Sequence, residues 1–412
     1  MSTTENQRWR ARYPRRARVR PQPRLPRLPR LRKFLASALA GGLLAVPGLA
    51  LALPEGFVDK EDGAFDISDW LIEQKGFLPV PMIVTEPAVG YGGGVSLLFV
   101  RNSIRESAEK AKETGHMVPP DLYVLGGVAT ENGTRAAFAG GMVSFADDHW
   151  RWRGGVGRTD VNLDFYGIGG QLPSGLTSIA YSLDGWVSAQ KISRRLGESD
   201  NWLGARWIYT DFNNKLNPGD DNRLSGLQDF ELSRRSSGLG LALEHDSRDN
   251  IFTPSRGWEG AFDATFFGTG IGSDNTFQYY RAHVFSYWPM ARNLILATRV
   301  DINSASGKVP FYMLPGVDLR GVSRASYQDD HSAVGELELR WNVTPRWAAI
   351  GFIGGGRAWG RDTDFGQAPT AVGKGLGFRY LLARQLGMWV GLDVARGPDG
   401  NSFYIQVGDA WR

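Results

Sequence analysis

Few residues in this sequence have the types and spacing that chemistry requires. His245, Asp246 and Ser247 supply the three residue types of a hydrolytic triad. Neighbouring residues of an extended chain point to opposite faces, so these three side chains cannot converge on one substrate. The residues that follow are polar or turn-forming: Arg248, Asp249, Asn250, Pro254 and Gly257. A tight turn between two strands therefore explains this stretch better than a catalytic or metal-binding cluster.

The other candidates for metal, cofactor or phosphate chemistry also fail. The five histidines are scattered along the chain: His116, His149, His245, His283 and His331. This spacing offers no set of metal ligands. The glycine-rich stretch Tyr91–Gly94 lacks the following helix and Lys-Ser/Thr pair of a phosphate-binding loop. We therefore expect no metal site, no cofactor and no enzymatic activity.

The composition favours strands and turns over helices. The 412 residues include 53 glycines, 12% aromatic residues and no cysteine, which is typical of many short strands and excludes a disulfide scaffold. After residue 53, no run reaches the roughly 18 apolar residues of a membrane helix. The net charge of +4 comes from residues 1–33, which hold 12 Lys/Arg and one acid. The remainder is net acidic, so we expect no nucleic-acid partner.

The N-terminal region has the features of an export signal. An Arg- and Pro-rich stretch precedes Phe34–Leu51, an apolar run rich in Ala and Leu, and Ala50-Leu51-Ala52 fits a small-x-small cleavage site. This pattern predicts a removable secretory signal peptide over residues 1–52, with a single membrane anchor as the alternative. Residues 53–75 are a short acidic lead-in with a possible helix at Asp66–Gln74.

From residue 76 to residue 412 the chain alternates between apolar and polar side chains. Such a period of two is typical of strands with one apolar face. We count about 16 candidate strands. In Val334–Val343, for example, one parity is apolar and the other is charged: Leu337, Leu339 and Trp341 against Glu336, Glu338 and Arg340.

A soluble sandwich also has one apolar face per strand, but three features favour a barrel in lipid. The chain is expected to be exported, the apolar segments reach the roughly 9–11 residues of a bilayer-crossing strand, and aromatic residues cluster at segment ends. Closed barrels are also the β-structure that satisfies every backbone group in hydrocarbon. We therefore predict an all-β, antiparallel transmembrane barrel in the bacterial outer membrane, a monomer surrounded by lipid.

Five segments, in this order along the chain, resemble motifs of the Omp85 superfamily, which includes the BamA and TamA assembly barrels and the D15-type surface antigens. They are Phe165–Gly169, Asp246–Gly257, Leu319-Arg320-Gly321-Val322, Gly335–Arg340 and Phe352–Gly356. The third is similar to the family's (V/I)-R-G-(F/Y) loop signature and the fifth to its F-x-D-x-G strand. The resemblance implies a 16-stranded barrel whose sixth extracellular loop enters the interior, and it places Asp246–Gly257 in a periplasmic turn.

The sequence departs from the family pattern in three respects. Gly354 replaces the aspartate of the F-x-D-x-G motif, and Val322 replaces the aromatic residue of the loop signature. Residues 53–75 are far too short for a POTRA domain. The resemblance therefore implies a POTRA-less member of the family.

The loop arginine is the residue with the clearest physical requirement. An arginine inserted in a partly dry barrel interior needs carboxylate partners. We predict that Arg320 and Gly321 form a loop lock in which Glu338 is the first partner of the guanidinium and Glu336 and Asp301 are further candidates. The alternative is a general network of interior charges that fills a wide barrel.

The chain end is similar to the aromatic-ended final strand of outer-membrane barrels. Phe403 and Trp411 share its apolar parity, which would leave Asp409 facing lipid near the membrane edge. By resemblance, the protein has an assembly, insertion or lipid-perturbing role, with other outer-membrane proteins or a separate periplasmic module as partners. The alternative function is a passive pore or a structural barrel without a client.

Overall fold

The computed structural model describes residues 55–73, 76–85, 89–101, 121–165, 179–217, 231–361, 363–398 and 400–411. The predicted signal peptide, the polar stretch 102–118 and residues 166–169 of the Phe165–Gly169 motif lie outside these ranges. In the described part of the chain, every helix is too short or too polar to span a membrane.

The described residues form an all-β structure. The strands are β1 Gly76–Val84, β2 Gly92–Val100, β3 Leu122–Thr130, β4 Arg135–Phe145, β5 Trp150–Phe165, β6 Ile179–Arg195, β7 Asn201–Asn217, β8 Glu231–Asp246, β9 Gly257–Phe267, β10 Phe277–Ala291, β11 Leu294–Gly307, β12 His331–Asn342, β13 Trp347–Trp359, β14 Ala371–Ala383, β15 Met388–Gly397 and β16 Gly400–Val407. Each pairs with the next in one antiparallel sheet of 16 strands. This confirms the predicted fold and strand number.

The sheet curves into a nearly closed barrel. Its two ends come together where the ring of Tyr91, just before β2, stacks on Phe403 of β16 at 5.2 Å between centroids. No ladder and no isolated bridge joins β1 to β16 among the described residues. We call this junction of β1 and β16 the seam.

The two faces of the wall have the polarity of a barrel in lipid. On β12, Leu337, Leu339 and Trp341 are 51%, 43% and 50% exposed, whereas Glu336 and Arg340 are 2% and 8% exposed. A soluble protein would bury the apolar set and expose the charged one. The outward face is therefore suited to hydrocarbon, and the inward face is ionic.

The connection between β11 and β12, residues 308–330, enters the barrel; we call it the inserted loop. Leu314 and Val317 are fully buried. Val317 packs against Val334 and Ala371 on one side of the interior. On another side, the ring of Phe311 meets that of Tyr181 edge-on at 5.0 Å. The loop thus contacts opposite walls of the barrel.

A short N-terminal piece, the lead-in segment 55–73, packs on the rim where β1 begins and β16 ends, which we call the terminal rim. Its helix α1, Ser68–Glu73, agrees with the predicted helix in the lead-in. Ile72 of α1 packs with Leu386 and Met388, at the turn between β14 and β15. The segment therefore covers the terminal rim beneath the last strands.

The end of the chain differs from the prediction. β16 stops at Val407, and Trp411 turns inward instead of continuing the outer face. Its indole nitrogen donates a hydrogen bond to Glu336 at 3.0 Å, and its ring lies 5.8 Å from that of Phe285. The predicted lipid-facing Asp409 is also wrong, because its carboxylate accepts a hydrogen bond from the hydroxyl of Tyr287. The strand parity does not extend past Gly408, whose φ is +79, and the chain bends there.

Candidate functional site

The candidate site is the place where the inserted loop touches the inner face of β13–β15. The loop turns at Gly321, which has a φ of +84 that L side chains rarely adopt. Its backbone lies directly on glycines of the wall. A Cβ on Gly397 would overlap the carbonyl oxygen of Gly321, and one on Gly373 would overlap that of Arg320. Glycine is required here because two backbones meet with no space for a side chain.

Arg320 is buried at the centre of this contact, with only 7% of its surface exposed. Its Nε donates to Glu336 at 2.7 Å and its Nη1 donates to Asp393 at 2.8 Å. Its Nη2 lies 2.8 Å from Glu338, as an ion pair whose geometry falls short of a hydrogen bond. The guanidinium carbon also sits 3.6 Å from the ring centroid of Phe352. A buried cation with this many partners is held in one position.

Three acids thus surround the loop arginine, and two of them are the predicted Glu336 and Glu338. The order differs from the prediction, because Glu336 makes the hydrogen bond and Glu338 the less well-directed contact. Asp301 does not reach Arg320. Its carboxylate instead binds Arg281 at 2.7 Å and Arg299 at 3.1 Å. Arg281 lies on the neighbouring strand β10, and Arg299 lies two residues before Asp301 on β11.

Asp393 is the partner that the sequence analysis missed. It lies on β15, is fully buried and receives two hydrogen bonds from Arg379 of β14, at 2.6 and 2.9 Å. It therefore bridges Arg379 and Arg320. The available signal was a single acid on the inner parity of β15, whose other members are Trp389, Gly391, Ala395 and Gly397.

Gly354, the departure from the family motif, lies against the inserted loop. A Cβ on Gly354 would come within 2.5 Å of a Leu319 methyl group. A carboxylate at this position would need the loop to move away. In this chain β15 supplies an acid that faces the loop arginine, Asp393, and β13 has a glycine where the loop packs against it.

Gly321 is held by more than its turn conformation. Its N–H donates to the hydroxyl of Tyr404 on β16, at 2.9 Å. The inserted loop is thus linked to the last strand as well as to β12–β15. This contact brings the candidate site next to the seam.

The turn between β8 and β9 contains the other predicted motif, and the structure brings most of its residues together. Arg248 makes a two-pronged ion pair with Asp246, both bonds at 2.7 Å. Asp249 accepts the N–H of Ser255 at 2.9 Å. Gly257 has a φ of +91 where the turn rejoins β9.

This turn also reaches other parts of the terminal rim. The amide of Asn250 donates to the carbonyl oxygen of Leu386, at 2.8 Å, and Arg340 of β12 donates to that of Pro254, at 2.9 Å. Because β8 and β9 are far from β12 and β15 in strand order, the turn folds across the rim. It covers the interior from the side opposite the inserted loop.

An acidic cluster ties the lead-in segment to the same rim. Arg346, in the turn after β12, contacts Asp59 at 2.7 Å and both Asp62 and Asp66 at 2.6 Å. Hydrogen bonding from Arg346 lowers the pKa of Asp62 to about 2. The pKa of Asp59 is also lowered, first by the N–H of Glu61 and further by Arg384. These carboxylates are charged at neutral pH and hold the segment in place.

The described residues contain no group of three or more His, Asp or Glu side chains that could hold a metal ion. His245 stacks on Trp258 at 3.9 Å, and its Nδ1 lies 3.0 Å from Oδ1 of Asn201, an acceptor to which the ring donates. It therefore packs as part of the wall, away from Asp246 and its partner Arg248. The site can hold a loop by charge and shape, and its geometry offers no nucleophile with a general base.

The sequence profile described as the Omp85 superfamily domain matches residues 173–394. This range contains the inserted loop, the β8–β9 turn and the strands that carry Glu336 and Asp393. A comparison with curated protein sequences returns no match.

Solved structures with the same barrel fold include BamA from Haemophilus ducreyi lacking POTRA domains 1–3, with a TM-score of 0.55 and 12% identity over 82% of this chain and 70% of that one. CdiB from Escherichia coli gives a TM-score of 0.53 and 14% identity, over 80% and 61%. CdiB from Acinetobacter baumannii gives 0.50 and 13%, over 80% and 59%. The chain spans about three fifths of the CdiB chains. With more than half of its residues inside the family profile, this chain belongs to the Omp85 superfamily and is an outer-membrane barrel.

Proposed function

We propose that this barrel assists the insertion of other β-barrel proteins into the outer membrane, acting at its seam. The observation that carries the proposal is the absence of a ladder between β1 and β16 in the described residues. An open edge inside a membrane is costly, because its backbone groups have no water to bind. A barrel that keeps one has a place where an incoming strand gains hydrogen bonds.

The roles of the inserted loop follow from this proposal. Arg320 with Glu336, Glu338 and Asp393 acts as a lock that keeps the loop against the wall next to the last strands. With the loop held in this way, β1 and β16 can separate at the seam while the other strands of the barrel stay paired. The Asp246–Gly257 turn and the lead-in segment cover the terminal rim, where a separate periplasmic module would dock.

The alternative function, a passive pore, has the charged interior in its favour. Cavities of about 520 and 390 Å³ lie along the inner wall, lined by Arg206, Asp263 and Arg281 among others. Against it, the inserted loop and the β8–β9 turn cover the interior from both rims. Ion conductance across planar bilayers tests this alternative: a substantial current in the full chain, increased when residues 313–324 are deleted, would favour a pore.

The main test is depletion of the protein followed by comparison of the outer-membrane proteome. We expect the levels of several other barrels to fall. Unchanged levels of every other barrel would remove the assembly role and leave the structural alternative.

A cross-linked seam connects the test to the geometry. The natural chain has no cysteine, so Tyr91→Cys with Phe403→Cys can be joined by a short bis-thiol reagent. The matched control is Phe266→Cys with Tyr280→Cys, whose rings are 6.0 Å apart across the bonded pair β9 and β10. We expect the seam cross-link to lower the levels of other barrels and the control to leave them unchanged. Equal effects from both pairs would contradict action at the seam.

A further inference from the structure

The two edges that meet at the seam have different capacities for pairing with a new strand. The ladders on either side of β2 show which backbone groups of β1 face the seam. Arg101 donates to the carbonyl oxygen of Asp121, and Tyr91 accepts from Glu131, so the odd-numbered residues of β2 bond to β3. Its even-numbered residues therefore bond to β1, because successive residues alternate in direction. Their β1 partners are also even-numbered.

The odd-numbered residues of β1 therefore face the seam: Phe77, Pro79, Pro81 and Ile83. Proline has no N–H group to donate. The middle of this edge consequently offers carbonyl acceptors and no donor at two successive positions. β1 can give only an incomplete ladder to any neighbour on this side.

The edge of β16 is complete. Gly408 donates to the carbonyl oxygen of Trp389 at 2.7 Å, which places the even-numbered residues of this strand toward β15. The odd-numbered residues therefore face the seam: Asn401, Phe403, Ile405 and Val407. None of these is proline, so each provides one donor and one acceptor.

The side chains of β1 are compatible with leaving the wall. Its sequence GFLPVPMIV has no polar side chain on either face. Outward Phe77 and Ile83 are 74% and 61% exposed, and inward Val80 is 36% exposed. Displacement of β1 into lipid would therefore expose no charged or hydrogen-bonding side chain.

From these observations we infer that β16 is the edge that receives a partner strand and that β1 is the strand that gives way. The inference rests on the proposed insertion function and names the edge and the partner for it. The partner is an extended, proline-free strand of alternating apolar and polar residues. Phe403, Ile405 and Val407 point outward to lipid and Ser402 and Tyr404 point inward, so a neighbour must have the same alternation. Such a strand bonds to all the seam-facing groups of β16, which β1 cannot do.

The test uses single cysteines in the full chain in phosphatidylcholine proteoliposomes. The probe is a synthetic peptide of about ten residues with alternating leucine and threonine and one central cysteine. We expect disulfide formation with Ile405→Cys on β16 to exceed that with Ile83→Cys on β1 by about tenfold or more. Greater or equal yield at Ile83→Cys would overturn the assignment of edges, while insertion at the seam would still stand. No cross-link at either residue would also overturn it, and the depletion experiment would then judge the insertion function separately.

Two controls separate edge pairing from simple insertion of an apolar peptide. A peptide that is N-methylated at alternate residues loses the donors of one edge but keeps its polarity, and we expect its cross-link to Ile405→Cys to fall to background. Pro79→Val with Pro81→Val restores the donors of β1, so β1 should compete and reduce the yield with the unmodified peptide. A yield unaffected by both changes would contradict the inference. Heat-dependent gel mobility verifies that each variant is folded.

Discussion

The wall formed by β12–β15 and the seam between β1 and β16 differ in how their polar groups are paired. In the wall, each strand has a ladder on both sides, and the buried Arg320 has acids on β12 and β15. At the seam, the described contact between the two edges is one aromatic stack, Tyr91 on Phe403. Tyr404 connects the two regions, because it belongs to β16 and binds the loop at Gly321.

This difference indicates where the barrel can open. Separating the loop from the wall would leave buried charges without partners, which is among the most costly changes a protein can undergo. Separating β1 from β16 loses an aromatic contact and exposes strand edges. We therefore expect motion to be concentrated at the seam, and the proposed loop lock to preserve the rest of the wall while the seam changes.

The largest effect is expected from Arg320→Ala. The change leaves Glu336 and Asp393 buried beside fewer cations, and removing one partner of a buried pair costs about 3–5 kcal/mol. The barrel should unfold at a markedly lower temperature on a heat-modifiability gel. Arg361→Ala is the control. Arg361 makes an ion pair with Asp330, but its own side chain is 38% exposed, and such an exposed pair contributes at most about 1 kcal/mol. An unchanged transition in the Arg320 variant would reject the lock.

Gly397→Ala should have the next largest effect. Its added methyl group would overlap the carbonyl oxygen of Gly321, so the loop must shift, at a cost of about 1–3 kcal/mol. The loss of loop contact can be measured as increased protease cleavage within residues 308–330. Gly366→Ala is the matched control, because a Cβ at Gly366 has no neighbour within 4 Å. Equal cleavage of the two variants would show that close backbone contact is unimportant.

A smaller effect is expected from Tyr91→Ala, which removes the aromatic contact across the seam. Such a pair contributes about 0.5–1.5 kcal/mol. The reactivity of a cysteine at Ile405 toward a lipid-soluble thiol reagent should increase, while the unfolding temperature of the barrel changes little. Tyr280→Ala, which loses the ring contact with Phe266 inside a bonded strand pair, should not alter that reactivity. If both variants behave alike, the stack does not hold the seam.

The smallest effect concerns the acidic contacts of the lead-in segment. Because the pKa of Asp62 falls from 3.8 to about 2 in the folded protein, its contribution to stability is complete above pH 4. It is lost as the pH falls toward 2, when the carboxylate becomes protonated. A spin label on Lys60→Cys should become mobile over this range and should already be mobile at pH 7 in Arg346→Ala. Mobility that is constant from pH 7 to pH 2 would contradict the role of these charges.

The sequence predicted the strands well because each depends on local alternation. The segment around Leu337 and Glu336 has its apolar and charged residues on opposite faces whatever its neighbours are. The prediction failed at the chain end for the same reason. Trp411 continues the parity of Phe403, but the strand ends at Val407 and a hydrogen bond to Glu336 turns the indole inward.

The partners of Arg320 could be predicted only in part. Glu336 and Glu338 lie on the strand that follows the loop, so nearness in sequence pointed to them. Asp393 is 73 residues away from Arg320, and its part in the site depends on how far the barrel has curved and how deeply the loop enters. Asp301 is close in sequence to the loop, but Arg281 on the neighbouring strand β10 and Arg299 on its own strand bind its carboxylate instead.

By itself, the sequence determined a wall of alternating strands, oily outside and ionic inside, and a loop with an arginine that needs acids. Alternation and the cost of a buried charge are local properties, and they can be recognised without knowing which strands meet. The tertiary structure decided which acids reach that arginine, which glycines lie beneath the loop, and that Pro79 and Pro81 face the seam. Each of these depends on register and closure, which bring together residues that are distant along the chain.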